Sequence, residues 1–209
     1  MKKAMDKLLS KIKLNKKIFL FLIIISFIAF ISGSILVVLL DKSDKSIIDT
    51  YLTNFISDIS QNKIEYMSIL KSSLITNLGL ILGIWLLGIS VIGIPVIVFL
   101  YFSQIFTFGF LLASIFLKYK LKGLVLAFLY TVPHYLMYFI MLIVLTSYSI
   151  SLSIKLINSI IKKKQIDFRI IFNKYLWILL FSFITILINS IYESFIFTNI
   201  IKLIAPIFM

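Results

Sequence analysis

Residues 18–40 read IFLFLIIISFIAFISGSILVVLL, an apolar run of about 23 residues without a charged side chain. At ~1.5 Å per residue, a helix of this length crosses the ~30 Å hydrocarbon core of a bilayer. Further apolar runs of similar length follow. Apart from His134 and Glu193, they contain no acidic, lysine, arginine or histidine side chain. The sequence therefore predicts an all-α, polytopic transmembrane helical bundle of about five spans.

The composition of the 209 residues excludes an ordinary soluble domain. Hydrophobic residues make up 61% of the chain and charged residues 14%, with a mean hydropathy of +1.12. Soluble domains average about 45–50% apolar and about 25% charged residues. Cysteine is absent, so the chain has no disulfide, no thiolate nucleophile and no cysteine-based metal site. Lipid must surround most of this protein.

The formal net charge of +13 comes mainly from lysines that cluster at the ends of the apolar runs. No motif that reads DNA or RNA accompanies them. Such clusters usually result from the positive-inside rule and from attraction to anionic lipid head groups. We therefore expect membrane lipid as the partner of these lysines and no nucleic acid.

Alternating apolar and polar segments divide the chain. The first run exceeds the ~7–15 apolar residues of a signal peptide, which favours an uncleaved anchor. Gly93 and Pro95 break helices without polar neighbours and predict a tight turn close to the membrane. The parts are a basic arm at 1–17, the first span at 18–40, an amphipathic loop at 41–71, a three-span core at 72–150, a basic loop at 151–174, and a fifth span with an apolar tail at 175–209. Spans two to five are expected at about 72–92, 94–116, 124–150 and 175–197.

The lysines also predict the orientation of the chain in a bacterial cell membrane. Five crossings place the arm at 1–17 and the loop at 151–174 on one side, and the positive-inside rule makes that side the cytoplasm. The 41–71 loop and the C-terminus are then extracytoplasmic. The basic turn at Lys118–Lys122 disagrees, since it falls outside, but a reversed chain would export two larger basic clusters.

The 41–71 loop carries an amphipathic pattern between residues 46 and 60. Its apolar residues recur at i, i+3, i+4 and i+7, which predicts a helix, and Ser46 with Asp49 resembles a capping box at its start. Either its apolar face or its acidic back binds an extracytoplasmic partner, or the helix lies flat in the outer interface or packs on its own bundle. The candidate partner contacts are Ile48, Tyr51, Leu52, Phe55 and Ile56.

Small residues in the second span predict close helix packing. Gly79 and Gly83 form a G-x-x-x-G pair, and in lipid such glycines let two backbones approach each other. Packing inside the monomer and contact within an oligomer both remain open. The full set of candidate packing residues is Gly79, Gly83, Gly88, Gly93, Pro95, Pro133 and His134.

Polar side chains within the spans are few. His134 either lines a polar cavity or hydrogen-bonds a neighbouring helix at a kink made by Pro133. Glu193 either reaches water near the outer end of its span or belongs to an ion site, for which the other spans offer no obvious partner. A lone histidine cannot form a metal site, and no hydrolase, zinc-protease or P-loop motif occurs. We expect neither an enzyme nor a cofactor. The remaining amides, read as interhelical hydrogen-bonding groups, are Asn77, Gln104 and Asn189.

The run LGIWLLGISVIGIPVIV at 82–98, followed by Phe108, Gly109 and Phe110, resembles the signature of the stage II sporulation protein M family. Pro133-His134 and the serines before Lys155 also resemble that pattern, which covers residues 70–160 closely. The resemblance implies a non-enzymatic membrane anchor. Such an anchor recruits two wall hydrolases, an amidase/endopeptidase and a lytic transglycosylase, to the septum during engulfment. Many relatives carry an acidic residue soon after the Pro-His pair, where this chain has Tyr135, Leu136, Met137 and Tyr138.

Two hypotheses follow for function. The first is a scaffold that contacts extracytoplasmic partners through the 41–71 loop. The second is a small transporter or permease subunit, because spans interrupted by glycine and proline often mark substrate sites. A polar cavity that joins His134, Gln104 and Glu193 would favour transport, and a dry, tightly packed core would favour the scaffold. An intramembrane enzyme fits the sequence least.

Overall fold

The structure is a computed structural model that describes residues 15–61, 63, 65–126, 132–162 and 168–205. The side chains at 124–126, 162, 168 and 204 are not part of that description. Most of the predicted basic arm, the centre of the predicted basic loop and the end of the apolar tail lie outside these ranges.

Five of the helices are long and apolar enough to cross a membrane, and no strand occurs in the described ranges. An all-α bundle of five spans with an added amphipathic helix is therefore confirmed. After α6 the chain passes through a π-helical segment, Tyr192–Phe197. The elements are α1 (Lys16–Leu39), α2 (Lys42–Ser60), α3 (Tyr66–Ile89), α4 (Gly93–Leu126), α5 (Val132–Lys162), α6 (Phe168–Ile191) and α7 (Thr198–Ile204).

Large apolar side chains cover the outside of the bundle, where lipid surrounds them. Phe27, Ile75, Phe99 and Trp177 are all exposed. Small polar side chains lie inside, where they can hydrogen-bond. The buried hydroxyl residues include Ser26, Ser73, Ser114, Thr146, Ser149, Ser153, Ser190 and Ser194.

The closest pair of helices is α1 with α4. Gly33 lies against the backbone of Phe106, and Gly109 lies against the backbone of Phe30, so that a methyl group at either glycine would overlap the other helix. Glycine at these two positions lets the backbones touch. The sequence analysis did not single out Gly33.

The predicted glycine pair behaves differently. A methyl group at Gly79 or Gly83 would meet no atom within 4 Å, so these glycines make no close contact inside the monomer. Packing inside the monomer was therefore the wrong reading of the pair, and oligomer contact stays a prediction. Gly88 does pack closely, against Tyr175 and Ser149.

The proline of the predicted I-G-I-P turn lies at the start of a helix. Pro95 follows the tight turn at Gly93 and lies in the first turn of α4, where a missing N–H removes no helical hydrogen bond. Pro133 is the second described residue of α5, and the predicted interruption of the fourth span there adjoins residues 127–131, which lie outside the described ranges. α5 is the helix of the fourth span and continues past Ile150 into the predicted basic loop, while residues 127–131 of the predicted span at 124–150 lie outside the described ranges.

The predicted basic turn after the third span is a kink inside α4. Lys120 has φ 52° and ψ −132°, a left-handed conformation that a non-glycine residue rarely adopts. The helix resumes after it and continues to Leu126. Lys120 therefore separates two helical stretches of α4.

The amphipathic helix α2 packs on the bundle. It begins at Lys42, with Asp41 as its N-cap residue, so the capping box predicted at Ser46 was wrong. Ser46 instead donates to the carbonyl of Ser43. Leu52, Ile56 and Ile59 are buried in a second apolar cluster, whose other buried members are Ile115, Phe197, Ile201 and Ala205.

Candidate functional site

The family-like run at 82–98 forms a closed contact at the end of the bundle away from α2. Tyr175 on α6 donates from its hydroxyl to the carbonyl of Trp85, 2.7 Å away, and its ring stacks on the Trp85 ring at 5.3 Å between centroids. The Ser149 and Tyr175 hydroxyls lie 2.8 Å apart. Ser153 donates to the carbonyl of Gly88 at 2.9 Å. This serine–tyrosine clasp (Trp85, Gly88, Ser149, Ser153 and Tyr175) ties α3, α5 and α6 together.

A polar cavity of about 510 Å³ opens at the other end, beside α2. We call it the α2-end cavity. It brings His134, Gln104 and Glu193 together, which is the arrangement that the transport hypothesis required. Its lining residues are Tyr51, Phe55, Ser68, Ile69, Ser72, Ser73, Thr76, Asn77, Gln104, His134, Tyr135, Tyr138 and Glu193.

Ser73 is the centre of a hydrogen-bond network that includes the Glu193 carboxylate on the cavity wall. Ser73 Oγ lies 2.5 Å from Glu193 Oε2 and 3.0 Å from Ser190 Oγ. Asn77 Nδ2 donates to Ser73 Oγ at 3.2 Å. Because the Ser73 hydroxyl bonds both the Glu193 carboxylate and the Ser190 hydroxyl, α3 and the end of α6 are joined at this position.

His134 lies close to the carboxylate without bonding to it. Its Nε2 is 3.9 Å from Glu193 Oε2, longer than a hydrogen bond, and its buried Nδ1 has no hydrogen-bond partner among the described residues. The side chains of His134 and Glu193 are 13% and 27% exposed. The expectation that Glu193 lacks a partner in another span was wrong, because α5 brings His134 beside it.

The π-helical segment places Glu193 on this wall. A π-helical turn contains an extra residue, and such turns are frequent at functional sites. Ser194 and Phe197 are buried in the segment, and Ser194 donates to the carbonyl of Tyr66 at the start of α3. Nothing in the sequence pattern at 192–197 had signalled this local widening of the helix.

The three amides differ in what they do. Tyr138 donates to Gln104 Oε1 at 3.2 Å, which links α5 to α4 as predicted. Asn77 bonds within its own helix, contrary to the prediction. Asn189 is buried, and its amide atoms make no hydrogen bond within the described part of the chain.

An apolar cavity of about 500 Å³ adjoins the polar one. Gln104, Tyr135 and Tyr138 line both cavities. The remaining wall of the apolar cavity is formed by α1, α4 and α5, with Phe27 and Phe108 among its aromatic side chains. The α2-end cavity and the apolar cavity therefore share one wall, which α4 and α5 form.

The chemistry of the α2-end cavity is that of a binding site. It offers one carboxylate, one imidazole, several hydroxyls and two amides. Within the described ranges, no group of three or more His, Cys, Asp or Glu residues could hold a metal ion. The lining supplies a counter-ion and hydrogen-bonding groups, which are what a small polar ligand needs.

The candidate partner contacts on α2 fall into two sets. Leu52 and Ile56 are buried and Ile48 and Phe55 are partly buried against the bundle, so the apolar face of α2 already has an internal partner. Tyr51 remains 71% exposed, and Ile47, one turn before it, is 67% exposed. We call the exposed side of α2 around Ile47 and Tyr51 the α2 ridge.

One basic residue near the kink of α4, Lys118, bonds to α2. Lys118 Nζ donates to the carbonyl of Asp49 and to Thr53 Oγ1. Lys118 therefore lies at the same end of the bundle as α2. The predicted topology places the lysines of the Lys118–Lys122 turn outside the cytoplasm, against the positive-inside rule. The contact with α2 gives Lys118 a structural role on that side.

Comparison with known families gives one clear match. The family model described as Stage II sporulation protein M matches residues 18–197. No curated protein matches the chain significantly, and neither does any solved structure. The matched range contains the second, third and fourth spans, nearly all of the first, most of the fifth, the clasp and the residues that line the α2-end cavity. The chain is thus a multi-pass membrane protein that belongs to the stage II sporulation protein M family.

Proposed function

We propose that this sporulation-related membrane protein is a scaffold that recruits wall hydrolases to the septum during engulfment. Membership of the family supports this role, and the family is not a known enzyme family. The expected partners are an amidase/endopeptidase and a lytic transglycosylase, both extracytoplasmic.

The observation that carries the proposal is the fixed position of α2. Leu52, Ile56 and Ile59 anchor one side of the helix in the bundle, and Lys118 bonds to its backbone. The opposite side presents Ile47 and Tyr51 with most of their area exposed. A rigidly held helix with an exposed apolar and aromatic ridge loses little entropy when a partner binds.

A photo-cross-linking amino acid at Tyr51 tests the scaffold in intact sporulating cells. We expect covalent adducts with the two wall hydrolases, identified by mass spectrometry, because Tyr51 lies on the exposed ridge. The matched control is the same amino acid at Phe99, which is equally exposed but lies near the clasp end of α4. Adducts at both positions, or at neither, would contradict the proposal.

The α2-end cavity favours a second candidate function, a small transporter or permease subunit. It joins His134, Gln104 and Glu193 in one polar space, and discontinuous or π-helical segments are common beside substrate sites. The clasp is packed at the opposite end of α3, so transport would require that end to open. The same cross-linking experiment distinguishes the two candidates, since adducts with an ATPase subunit instead of hydrolases would support transport.

A further inference from the structure

We infer that the α2-end cavity is a binding site for an ammonium group, with the Glu193 carboxylate as its counter-ion. The inference goes beyond both candidate functions, because binding requires neither a docked protein partner nor solute flux. It rests on the charge, the aromatic lining and the size of the cavity, and on the apolar groove beside it.

The charges of the lining favour a cation. Glu193 is the one carboxylate among the lining residues, and no lysine or arginine lines the cavity. Among the described residues, the one basic side chain within 4 Å of that carboxylate is His134, at 3.9 Å. One carboxylate oxygen accepts from Ser73, and at 27% exposure the group remains accessible to a ligand.

The aromatic rings of the lining favour an organic cation over a metal ion. Tyr51, Phe55, Tyr135 and Tyr138 contribute four rings around the cavity, and aromatic faces attract ammonium groups within ~6 Å. A hard metal ion would instead need several carboxylate or carbonyl ligands. Gln104 and the hydroxyls on α3 add hydrogen-bond acceptors for N–H donors.

The volume fits a head group rather than a single ion. A cavity of about 510 Å³ falls in the usual ~300–1,000 Å³ range of small-molecule sites. The adjoining apolar cavity of about 500 Å³ shares Gln104, Tyr135 and Tyr138 with it. The ammonium group of a free amine, or of a lipid such as phosphatidylethanolamine, fits the α2-end cavity. The acyl chains of a lipid would also fill the apolar cavity.

The first test measures lipid retention by the full chain in nanodiscs that contain phosphatidylethanolamine and phosphatidylglycerol in equal amounts. Native mass spectrometry of the released protein should show preferential retention of phosphatidylethanolamine. Glu193→Gln should lower this retention by about ten-fold, because a charge-assisted contact is lost. Glu65→Gln is the matched control, since Glu65 is an exposed acid at the N-cap of α3 and does not line the cavity.

The second arm identifies a free amine as the source. Excess ethanolamine should raise the Tm of the detergent-solubilised wild type but not of Glu193→Gln, and glycerol should raise neither. A rise in Tm without lipid retention assigns the site to a soluble amine. Retention of phosphatidylethanolamine without a rise in Tm assigns it to the lipid.

A labelling experiment on the wild-type protein covers the case in which Glu193→Gln fails to insert. Dicyclohexylcarbodiimide activates carboxyl groups, which then rearrange to the N-acylurea or form an amide with added amine. Bound amine should slow consumption of the free Glu193 carboxyl, summed over both products, several-fold, while the carboxyl of exposed Asp44 is consumed at an unchanged rate. The inference is overturned if phosphatidylethanolamine is not retained and ethanolamine neither raises the Tm nor protects Glu193. It is also overturned if wild type and Glu193→Gln both retain phosphatidylethanolamine to the same extent. Cross-linking at Tyr51 reports on the scaffold separately, so the two proposals can fail independently.

Discussion

Gly33 and Gly79 are chemically identical and both lie in apolar spans, yet only Gly33 touches another backbone. The G-x-x-x-G spacing drew attention to Gly79 because spacing is visible in one sequence. Whether a glycine faces a helix or lipid depends on how the spans are arranged around each other, which a single sequence does not contain. The residue types were predictable, and their partners were not.

Replacing each glycine by leucine separates the two environments. Gly33→Leu should destabilise the protein by about 1–3 kcal/mol or more, because the new side chain overlaps the Phe106 backbone. Gly79→Leu should change the free energy of unfolding by less than about 0.5 kcal/mol. Thermal unfolding in detergent measures both, and size-exclusion chromatography with light scattering shows whether Gly79→Leu disrupts an oligomer. Equal destabilisation by the two changes would contradict the α1–α4 contact.

The helices themselves followed from the sequence because length and hydropathy decide which segments cross a bilayer. The periodicity of α2 was equally clear, but its N-cap, Asp41, lies five residues before the predicted cap at Ser46. The π-helical segment was not predictable, since its extra residue is stabilised by contacts such as Ser194 with Tyr66. The site depends on that segment, so its assembly around Glu193 was the part that sequence reasoning missed.

The docking of α2 can be tested without removing the ridge. A double variant, Leu52→Ser with Ile56→Ser, should release α2 from the bundle. Each substitution removes about 1.5–3 kcal/mol of stabilisation from apolar burial. Limited proteolysis within residues 42–60 should then accelerate at least ten-fold. Tyr51→Ser, the control on the exposed side of the same helix, should leave the proteolysis rate unchanged. Equal proteolysis rates for the wild type, the double variant and Tyr51→Ser would contradict the buried position of Leu52 and Ile56.

At the scale of the whole molecule, five spans fix which segments share a side. α2 and Lys118 lie at one end of the bundle, and the clasp lies at the other. The charge distribution predicts that the clasp end faces the cytoplasm, although three lysines near the kink of α4 count against it. The sequence therefore predicted the number of spans from hydropathy alone, whereas orientation depends on a balance of charges.

The absence of cysteine makes orientation directly measurable. A single cysteine at Lys63, near the end of α2, should react with a membrane-impermeant maleimide in intact cells. A single cysteine at Lys155, near the clasp, should react only after the membrane is permeabilised, because the positive-inside rule retains that end in the cytoplasm. Both side chains are exposed, so accessibility within the protein is matched. The reverse labelling pattern would invert the topology.

Tyr51 belongs to two surfaces at once. It lines the α2-end cavity and forms part of the α2 ridge with 71% of its area exposed. A protein that covers this ring also covers part of the cavity rim. Binding of a ligand in the α2-end cavity and binding of a protein to the α2 ridge are then thermodynamically linked. Each event changes the equilibrium constant of the other by the same factor.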